Sequence, residues 1–374
     1  MFKKRSIAFL VISIIFFQML LPIKCMASET ISEINIPQEA SEYANTHIAG
    51  LVDAVELYAD NYDLSTNQLT NIYIGSPFVI YEVLQFAQDE IYYYPVYDKN
   101  QELIAVLSVM GTTDGWCVSM SQEWVSDLRT LAPSNSAYLF YKIGDDLYVE
   151  NSLIKYHIDG SNEVEDNSFS RKSYIEKKNI IFDISSKFRK ADMENVDFSL
   201  LDTYTPSFST NTSSSKICSL YKKRGQGSLN VCWAASVATI CNYRRGTNYT
   251  ATGIADDMNI SYDAGASIEV AQSALSMHEV SYSNLNKNSN SKMTWSTLKR
   301  NINGYLPVYV SAKISGSGHA VVAYGYSTTT AGTNYVILWN PGTANSITVE
   351  FKSSGTTFAY SNKTWTWTHS LSGI

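Results

Sequence analysis

Hydrophobic and polar residues alternate along this chain in patterns that change from one segment to the next. Residues 7–23 are almost entirely apolar, with three basic residues just before them. A helical period predicts a helix over residues 38–62. Period-two runs then predict strands at residues 71–74, 91–96, 104–110, 137–141, 147–150 and 154–158, with turn-forming residues between neighbouring runs. The N-terminal half is therefore predicted to be an antiparallel α+β module.

The C-terminal half places its helices before its strands. The apolar, Ala-rich run over residues 232–243 ends in two arginines and a glycine, which are helix-stop signals. Further helices are predicted at residues 251–258, 268–277 and 295–302, and strands at residues 306–314, 319–327, 335–340 and 347–352. Between the two halves, the Ser/Thr/Asn-rich residues 203–215 predict an exposed linker, where proteolytic processing is expected.

The first 27 residues have the layout of a secretory signal peptide: a basic start, an apolar centre and small residues behind it. An uncleaved membrane anchor is the alternative, but the apolar run is short for the roughly 20 residues of a membrane span. We therefore expect a secreted, extracellular protein that has no membrane association after signal cleavage.

Charge is distributed unevenly over the 374 residues, whose net charge is −7. Residues 28–215 carry 29 acidic and 11 basic side chains, whereas residues 216–374 carry 6 acidic and 13 basic ones. Net charges of −18 and +7 attract each other across a Debye length of about 8–10 Å. The overall acidity argues against nucleic-acid binding, and the 45% of hydrophobic residues excludes wholesale disorder.

Three residues of the C-terminal half are candidates for nucleophilic catalysis. Cys232 begins a predicted helix, where the helix dipole favours the reactive thiolate. His319 enters an apolar strand and Asn340 ends the next one, so a hairpin would bring the two together and let the amide orient the imidazole. Taken singly, the cysteine could be a small buried hydrophobe and the histidine a satisfied core residue.

The ordered set of Gln226, five residues, Cys232-Trp-Ala, then Gly-His319-Ala and finally Trp-Asn340-Pro resembles the papain-like cysteine proteinases. Its extent and the Trp-Asn-Pro sequence look closest to the staphopain-type secreted bacterial enzymes. The resemblance implies that Cys232 is the nucleophile, that His319 is its general base and then acid, and that Asn340 orients His319. It also implies that Gln226 and the backbone N–H of Cys232 form the oxyanion hole.

The resemblance also implies a fold and an organisation. We expect an α+β, papain-like catalytic domain over residues 216–374, with a helical part and an antiparallel, β-barrel-like part. An acidic propeptide domain of antiparallel α+β type would occupy residues 28–202, behind the signal peptide (1–27) and before the linker or processing region (203–215). The propeptide would dock on the basic half, cover the cleft as an inhibitor and be removed by a cut in the linker.

The expected function is that of a secreted cysteine endopeptidase made as a zymogen, which hydrolyses extracellular polypeptides through a thioester. A papain-fold acyltransferase or deamidase would use the same residues, and an inactive secreted binding protein is a further alternative. Cysteine and histidine spacings match no metal motif, so no metal or cofactor is expected. We expect a monomer in which Cys117, Cys218 and Cys241 are buried thiols, although a Cys218–Cys241 disulfide stays open.

Overall fold

The structure is a computed structural model that describes residues 36–59, 64–69, 72–82, 89–131, 139–143, 146–150, 155–158, 200–204, 212–281, 284–286 and 293–374. All of these belong to one unit, formed by residues 36–167 and 195–374. The predicted signal peptide (1–27) lies outside the described residues. In the part of the chain that is described, no helix is long and apolar enough to cross a membrane.

The N-terminal part begins with a helix whose apolar face is buried. Its helices are α1 (Gln38–Glu56) and α2 (Val125–Leu131). Its strands are β1 (Ile72–Gly75), β2 (Ile80–Glu82), β3 (Ile91–Tyr97), β4 (Leu103–Thr112), β5 (Gly115–Ser121), β6 (Leu139–Ile143), β7 (Asp146–Glu150), β8 (Lys155–Ile158) and β9 (Leu200–Tyr204). Strands β3 and β4 are buried almost throughout, in accord with their apolar sequences.

The C-terminal part follows the predicted order of helices before strands, apart from its first strand. Strand β10 (Thr212–Ile217) precedes helices α3 (Cys232–Arg245), α4 (Ala251–Asp257) and α5 (Ile268–Met277), strand β11 (Asn284–Asn286) and helix α6 (Trp295–Asn303). The remaining strands are β12 (Val308–Ile314), β13 (Ser317–Thr329), β14 (Asn334–Asn340), β15 (Asn345–Glu350), β16 (Thr357–Tyr360) and β17 (Lys363–Ser372).

A single 13-stranded sheet runs through both parts of the chain, in the order β11-β17-β12-β13-β14-β15-β5-β4-β3-β1-β9, with β10 on β13 and β16 on β17. The two parts join where β15 pairs antiparallel with β5, with Thr348 opposite Met120. A second sheet has the order β2-β6-β7-β8, and its β2–β6 pair is parallel. The fold is thus mixed α+β with a large antiparallel sheet, consistent with a papain-like domain.

Helix α1 packs on strands from both parts of the chain, namely β4, β5 and β13 to β15. Gly50 is needed there, because a Cβ atom at this position would collide with the rings and methyl groups of Tyr335 and Thr329. The hydroxyl of Tyr335 also donates a hydrogen bond to the backbone oxygen of His47 on α1. The helix therefore covers the junction of the two parts.

The sequence predictions agree with most elements of the structure and miss several. Helix α1 ends at Glu56 rather than at residue 62. The sequence patterns predict neither α2 nor the strands β2, β5, β9, β10, β11, β16 and β17. The parallel β2–β6 pair also departs from the expected antiparallel module. In the predicted linker, residues 203–204 end β9 and residues 212–215 lie in β10, so both ends are held in sheet pairings. Residues 205–211 lie outside the described residues.

Candidate active site

Cys232 is the first residue of α3, which packs on β13. The helix is buried from Trp233 to Asn242, and its many alanines allow it to lie close to the sheet. It ends at Gly246, whose left-handed backbone (φ 69°) and N–H bond to the oxygen of Asn242 form a typical helix C-cap. The helix stop that the sequence predicted is therefore confirmed, and Cys232 is fixed at the other end.

The thiol of Cys232 lies against backbone donors at the helix start and on β13. The N–H groups of Ala320, Trp233 and Cys232 itself hydrogen-bond to the sulfur and favour its thiolate. Burial has the larger effect, however, and raises the pKa of Cys232 above its usual value. The donors at the helix start thus favour the thiolate, as expected there, while desolvation opposes them.

His319 and Asn340 lie close together, as expected from the predicted hairpin. Their strands β13 and β14 are antiparallel neighbours with Val322 opposite Trp339. The Nε2 atom of His319 lies 2.7 Å from Oδ1 of Asn340, and the N–H of Gly342 donates to the same oxygen at 2.9 Å. Because Oδ1 accepts both bonds, Nε2 carries the proton of the neutral imidazole. The other ring nitrogen, Nδ1, is left as the basic atom.

The protonation of His319 is set by its surroundings. Only 5% of this residue is exposed. Burial lowers the pKa of His319 to about 4, and the hydrogen bond to Asn340 opposes this only in part. Near neutral pH the imidazole is therefore unprotonated, and it lies next to Ala320, whose N–H contacts the thiol. Ala320 thus links the thiol of Cys232 to the strand that carries His319.

Two aromatic side chains that the sequence reasoning missed enclose the imidazole. The ring of Tyr360 stacks on His319 with centroids 4.6 Å apart and 24° between the planes, and Trp365 lies at 5.3 Å and 55°. Both belong to the β16–β17 hairpin. The sequence contains a signal for this hairpin, because aromatic residues at positions 358, 360, 365 and 367 alternate with small or polar residues around a Ser-Asn turn.

Gln226 lies in a loop that is tied to the end of β14. Its backbone N–H donates to the oxygen of Pro341 at 2.9 Å, directly after Asn340. The indole of Trp339 donates to the oxygen of Arg224 at 2.9 Å and holds the same loop. The Oε1 atom of Gln226 is buried and has no hydrogen-bond partner among the described residues. The loop therefore places Gln226 beside the His319–Asn340 pair.

The other cysteines stand apart from this arrangement. Cys117, Cys218 and Cys241 are buried free thiols, so the open possibility of a Cys218–Cys241 disulfide is not realised. Burial raises the pKa of Cys218 to about 11 and that of Cys241 to about 12. Across the described ranges, no group of three or more His, Cys, Asp or Glu side chains could hold a metal ion.

A base beside a thiol, with an amide that fixes its tautomer, is the arrangement that nucleophilic cysteine catalysis requires. Residues 215–372 match the model of the Peptidase_C39 like family. This match supports a cysteine-peptidase-type domain in the C-terminal part. Among curated proteins, no relative matches the chain.

The family match covers the segment that sequence reasoning assigned to catalysis, almost to the residue. It supports a cysteine peptidase or a related papain-like enzyme. It does not extend to the staphopain-type enzymes, so that narrower resemblance stays a prediction. The individual roles of Cys232, His319, Asn340 and Gln226 likewise stay predictions, now with a geometry that fits them.

Proposed function

We propose that this protein is a secreted, papain-like cysteine endopeptidase made as a zymogen, and that it hydrolyses extracellular polypeptides through a thioester. The observation that carries the proposal is the contact between the Cys232 thiol and the backbone of Ala320, next to a His319 ring whose Nε2–H is bound by Asn340. The family match of residues 215–372 supports the same reaction class.

The first half of the reaction follows from the neutral resting pair. When a peptide binds, Nδ1 of His319 takes the thiol proton, and the sulfur of Cys232 attacks the scissile carbonyl carbon. The carbonyl oxygen becomes an oxyanion, which the backbone N–H of Cys232 and the side-chain amide of Gln226 stabilise. The intermediate then collapses to a thioester, and the departing amine takes the proton from His319.

The second half regenerates the enzyme. A water molecule gives a proton to Nδ1 of His319 and attacks the thioester carbon. The new carboxylic acid leaves as the sulfur takes the proton back from the imidazole. Throughout, Asn340 keeps the Nε2 proton in place, so the same ring nitrogen can act as base and then as acid.

The N-terminal part has a separate proposed role, which is to restrain the catalytic part until a cut in the region of residues 203–215. The opposite net charges of the two parts favour their association before processing. The apolar segment over residues 7–23 supports export as the first step in this sequence of events. A full chain that is as active before the cut as after it would contradict the restraint.

The test of the peptidase proposal uses the full chain with a reducing agent and casein as substrate. We expect the chain to shorten by the cut within residues 203–215 and casein digestion to follow, both blocked by an epoxide thiol inhibitor and absent in Cys232→Ala. Cys241→Ala is the matched control, because it removes another thiol from the same helix and is expected to keep activity. Inhibitor labelling at Cys232 with ammonia release and no peptide cleavage would instead favour the deamidase alternative, and a chain that neither cleaves nor labels would be a binding protein.

A further inference from the structure

The β16–β17 hairpin connects the N-terminal part of the chain to the catalytic histidine. Its turn consists of Ser361 and Asn362, both with positive φ (52° and 57°), as a tight two-residue hairpin turn requires. Tyr360 precedes the turn and Trp365 follows it closely. The turn points into the N-terminal part, and the flanking aromatic rings lie on His319.

Two buried charged side chains of the N-terminal part bind the backbone of the turn. Lys142, only 1% exposed, donates to both the backbone oxygen and the hydroxyl of Ser361 at 2.9 Å. The carboxylate oxygen of Glu123 accepts the N–H of Ser361 at 2.9 Å. Hydrogen bonds to charged groups are stronger than neutral ones, and losing a partner leaves a buried charge unsatisfied.

The side chain of Asn362 is held as completely as an amide can be. Its Nδ2 atom donates to the backbone oxygen of Ile80 at 3.2 Å and to Oε1 of Glu82 at 3.0 Å. Its Oδ1 atom accepts the hydroxyl of Tyr93 at 2.9 Å. Both amide hydrogens and the oxygen are thus used, all by residues of the N-terminal part. A buried contact this specific fixes the position of the turn.

The other end of the hairpin fixes the imidazole. The rings of Tyr360 and Trp365 flank His319, and the hydroxyl end of Tyr360 packs against Gly342, whose N–H binds Asn340. Strand β17 also pairs with β12, as far as Thr366 opposite Lys313, so the main sheet holds the open end of the hairpin and the N-terminal part holds its tip. The segment between them carries Tyr360 and Trp365, and its position over the histidine depends on both attachments.

We propose that the N-terminal part is a positioning element for His319, acting through the β16–β17 hairpin whose tip it binds. The inference rests on the proposed function, because it takes His319 to be the catalytic base. Tyr360, Trp365 and Asn362 are positioning residues in this scheme, because they act through His319. The catalytic unit therefore consists of both parts of the chain.

This role is compatible with restraint before processing. A cut within residues 205–211 severs the chain between β9 and β10 but breaks none of the hydrogen bonds at the hairpin tip. Processing can relieve the restraint while the N-terminal part stays in place and keeps His319 oriented.

The test is the variant Asn362→Gly in the full chain, assayed with both parts present after a cut within residues 205–211. Glycine adopts the positive φ of this position without strain, so the turn is kept and only the three side-chain hydrogen bonds are lost. We expect kcat to fall about 10- to 100-fold, since small misplacements of a catalytic group have effects of this size, with KM within about twofold. Tyr43→Phe is the matched control, because it removes a hydrogen bond to Glu350 at the same junction but away from the hairpin.

Tyr93→Phe provides a milder second variant that keeps the packed ring and removes only one bond to Asn362. We expect a severalfold fall in kcat. In both variants the pKa of His319, about 4 in the wild type, should rise as its ring becomes more hydrated, which NMR titration of the imidazole measures.

The inference is overturned if folded Asn362→Gly and Tyr93→Phe keep the kcat of the Tyr43→Phe control, or if their activity rises. A wild type without hydrolytic activity would refute the proposed function instead. In that case the NMR titration still decides the positioning role: an unchanged His319 pKa in both variants contradicts it.

Discussion

The protonation of the proposed catalytic pair depends on the burial of each residue. Cys232 has three backbone donors and the start of a helix in its favour, yet burial raises its pKa. His319 loses its charge for the same reason, with a pKa lowered to about 4. A thiolate–imidazolium pair would need both residues charged inside the protein. Forming that pair therefore carries a desolvation cost at both residues.

The burial of Cys232 and His319 predicts how the alkylation of Cys232 by iodoacetamide depends on pH in the free protein. Since only the thiolate reacts, and the imidazole is already neutral above about pH 4, the rate should rise steadily through neutral pH. Mass spectrometry of the labelled peptide measures it, with Cys232→Ala as the background control. Rapid labelling with a plateau between pH 4 and 7 would indicate a resting ion pair and contradict this view.

At the scale of elements, the hairpin β16–β17 and the loop after β14 form one packed layer beside the imidazole. Gly342 allows this, because a Cβ atom at that position would collide with the ring and hydroxyl of Tyr360. The same residue donates its N–H to Asn340. The loop and the hairpin can approach each other only while position 342 carries no side chain.

Gly342→Ala is therefore predicted to displace Tyr360 and lower kcat about tenfold or more, while the stability loss stays within about 1–3 kcal/mol, as for other overpacked sites. Gly265→Ala is the control, because a Cβ there meets nothing within 4 Å. Peptidase assays and urea unfolding of both variants test the prediction. Equal kcat in the two variants would show that Tyr360 does not act on His319.

The local sequence is sufficient to predict some elements of the fold and insufficient to predict others. Helix α3 and strands β13 and β14 have strong local patterns, so Cys232, His319 and Asn340 could be placed near one another from the sequence. Strand β5, in contrast, has the sequence Gly-Trp-Cys-Val-Ser-Met-Ser and is defined by its pairing with β4 and β15. The hairpin has a readable alternation, but its contact with His319 depends on tertiary packing that no local pattern contains.

At the scale of the whole molecule, a shared sheet joins the two parts that the charge distribution separated. The sequence predicts two modules of opposite net charge, which attract each other over a distance. The junction itself consists of the β5–β15 ladder, helix α1 and the buried tip of the hairpin. Charge can therefore steer the parts together, while burial and hydrogen bonding hold them.

The pKa of Glu123, which lies inside this junction, predicts that the stability of the protein depends on pH. Burial raises its pKa to about 7, against the lowering effects of the Ser361 N–H and of Lys142. The folded state thus binds the proton more tightly than the unfolded state. This contribution to stability is fully present below the unfolded pKa, near 4.5, and is lost as the pH rises to 7, by up to about 1.4 kcal/mol per pH unit.

Glu123→Gln keeps an oxygen to accept the Ser361 N–H but does not titrate. Its free energy of unfolding, measured in urea at pH 5, 6 and 7, should decline less with pH than that of the wild type. Tyr43→Phe at the same junction removes a hydrogen bond without removing a carboxyl group and should keep the wild-type slope. Parallel curves for the wild type and Glu123→Gln would contradict the assignment.

Because buried contacts and hydrogen bonds hold the junction, we predict that the two parts stay together after processing. A specific protease site placed within residues 205–211, in a Cys232→Ala background that prevents self-digestion, allows a single controlled cut. The two fragments should co-elute at the volume of the uncut chain in size-exclusion chromatography, even in about 1 M salt, where the Debye length is only about 3 Å. Attraction between net charges of −18 and +7 would be screened there, whereas the β5–β15 ladder and the hairpin tip would not. Separation of the fragments at this salt concentration would mean that charge, rather than the shared sheet, holds the parts together.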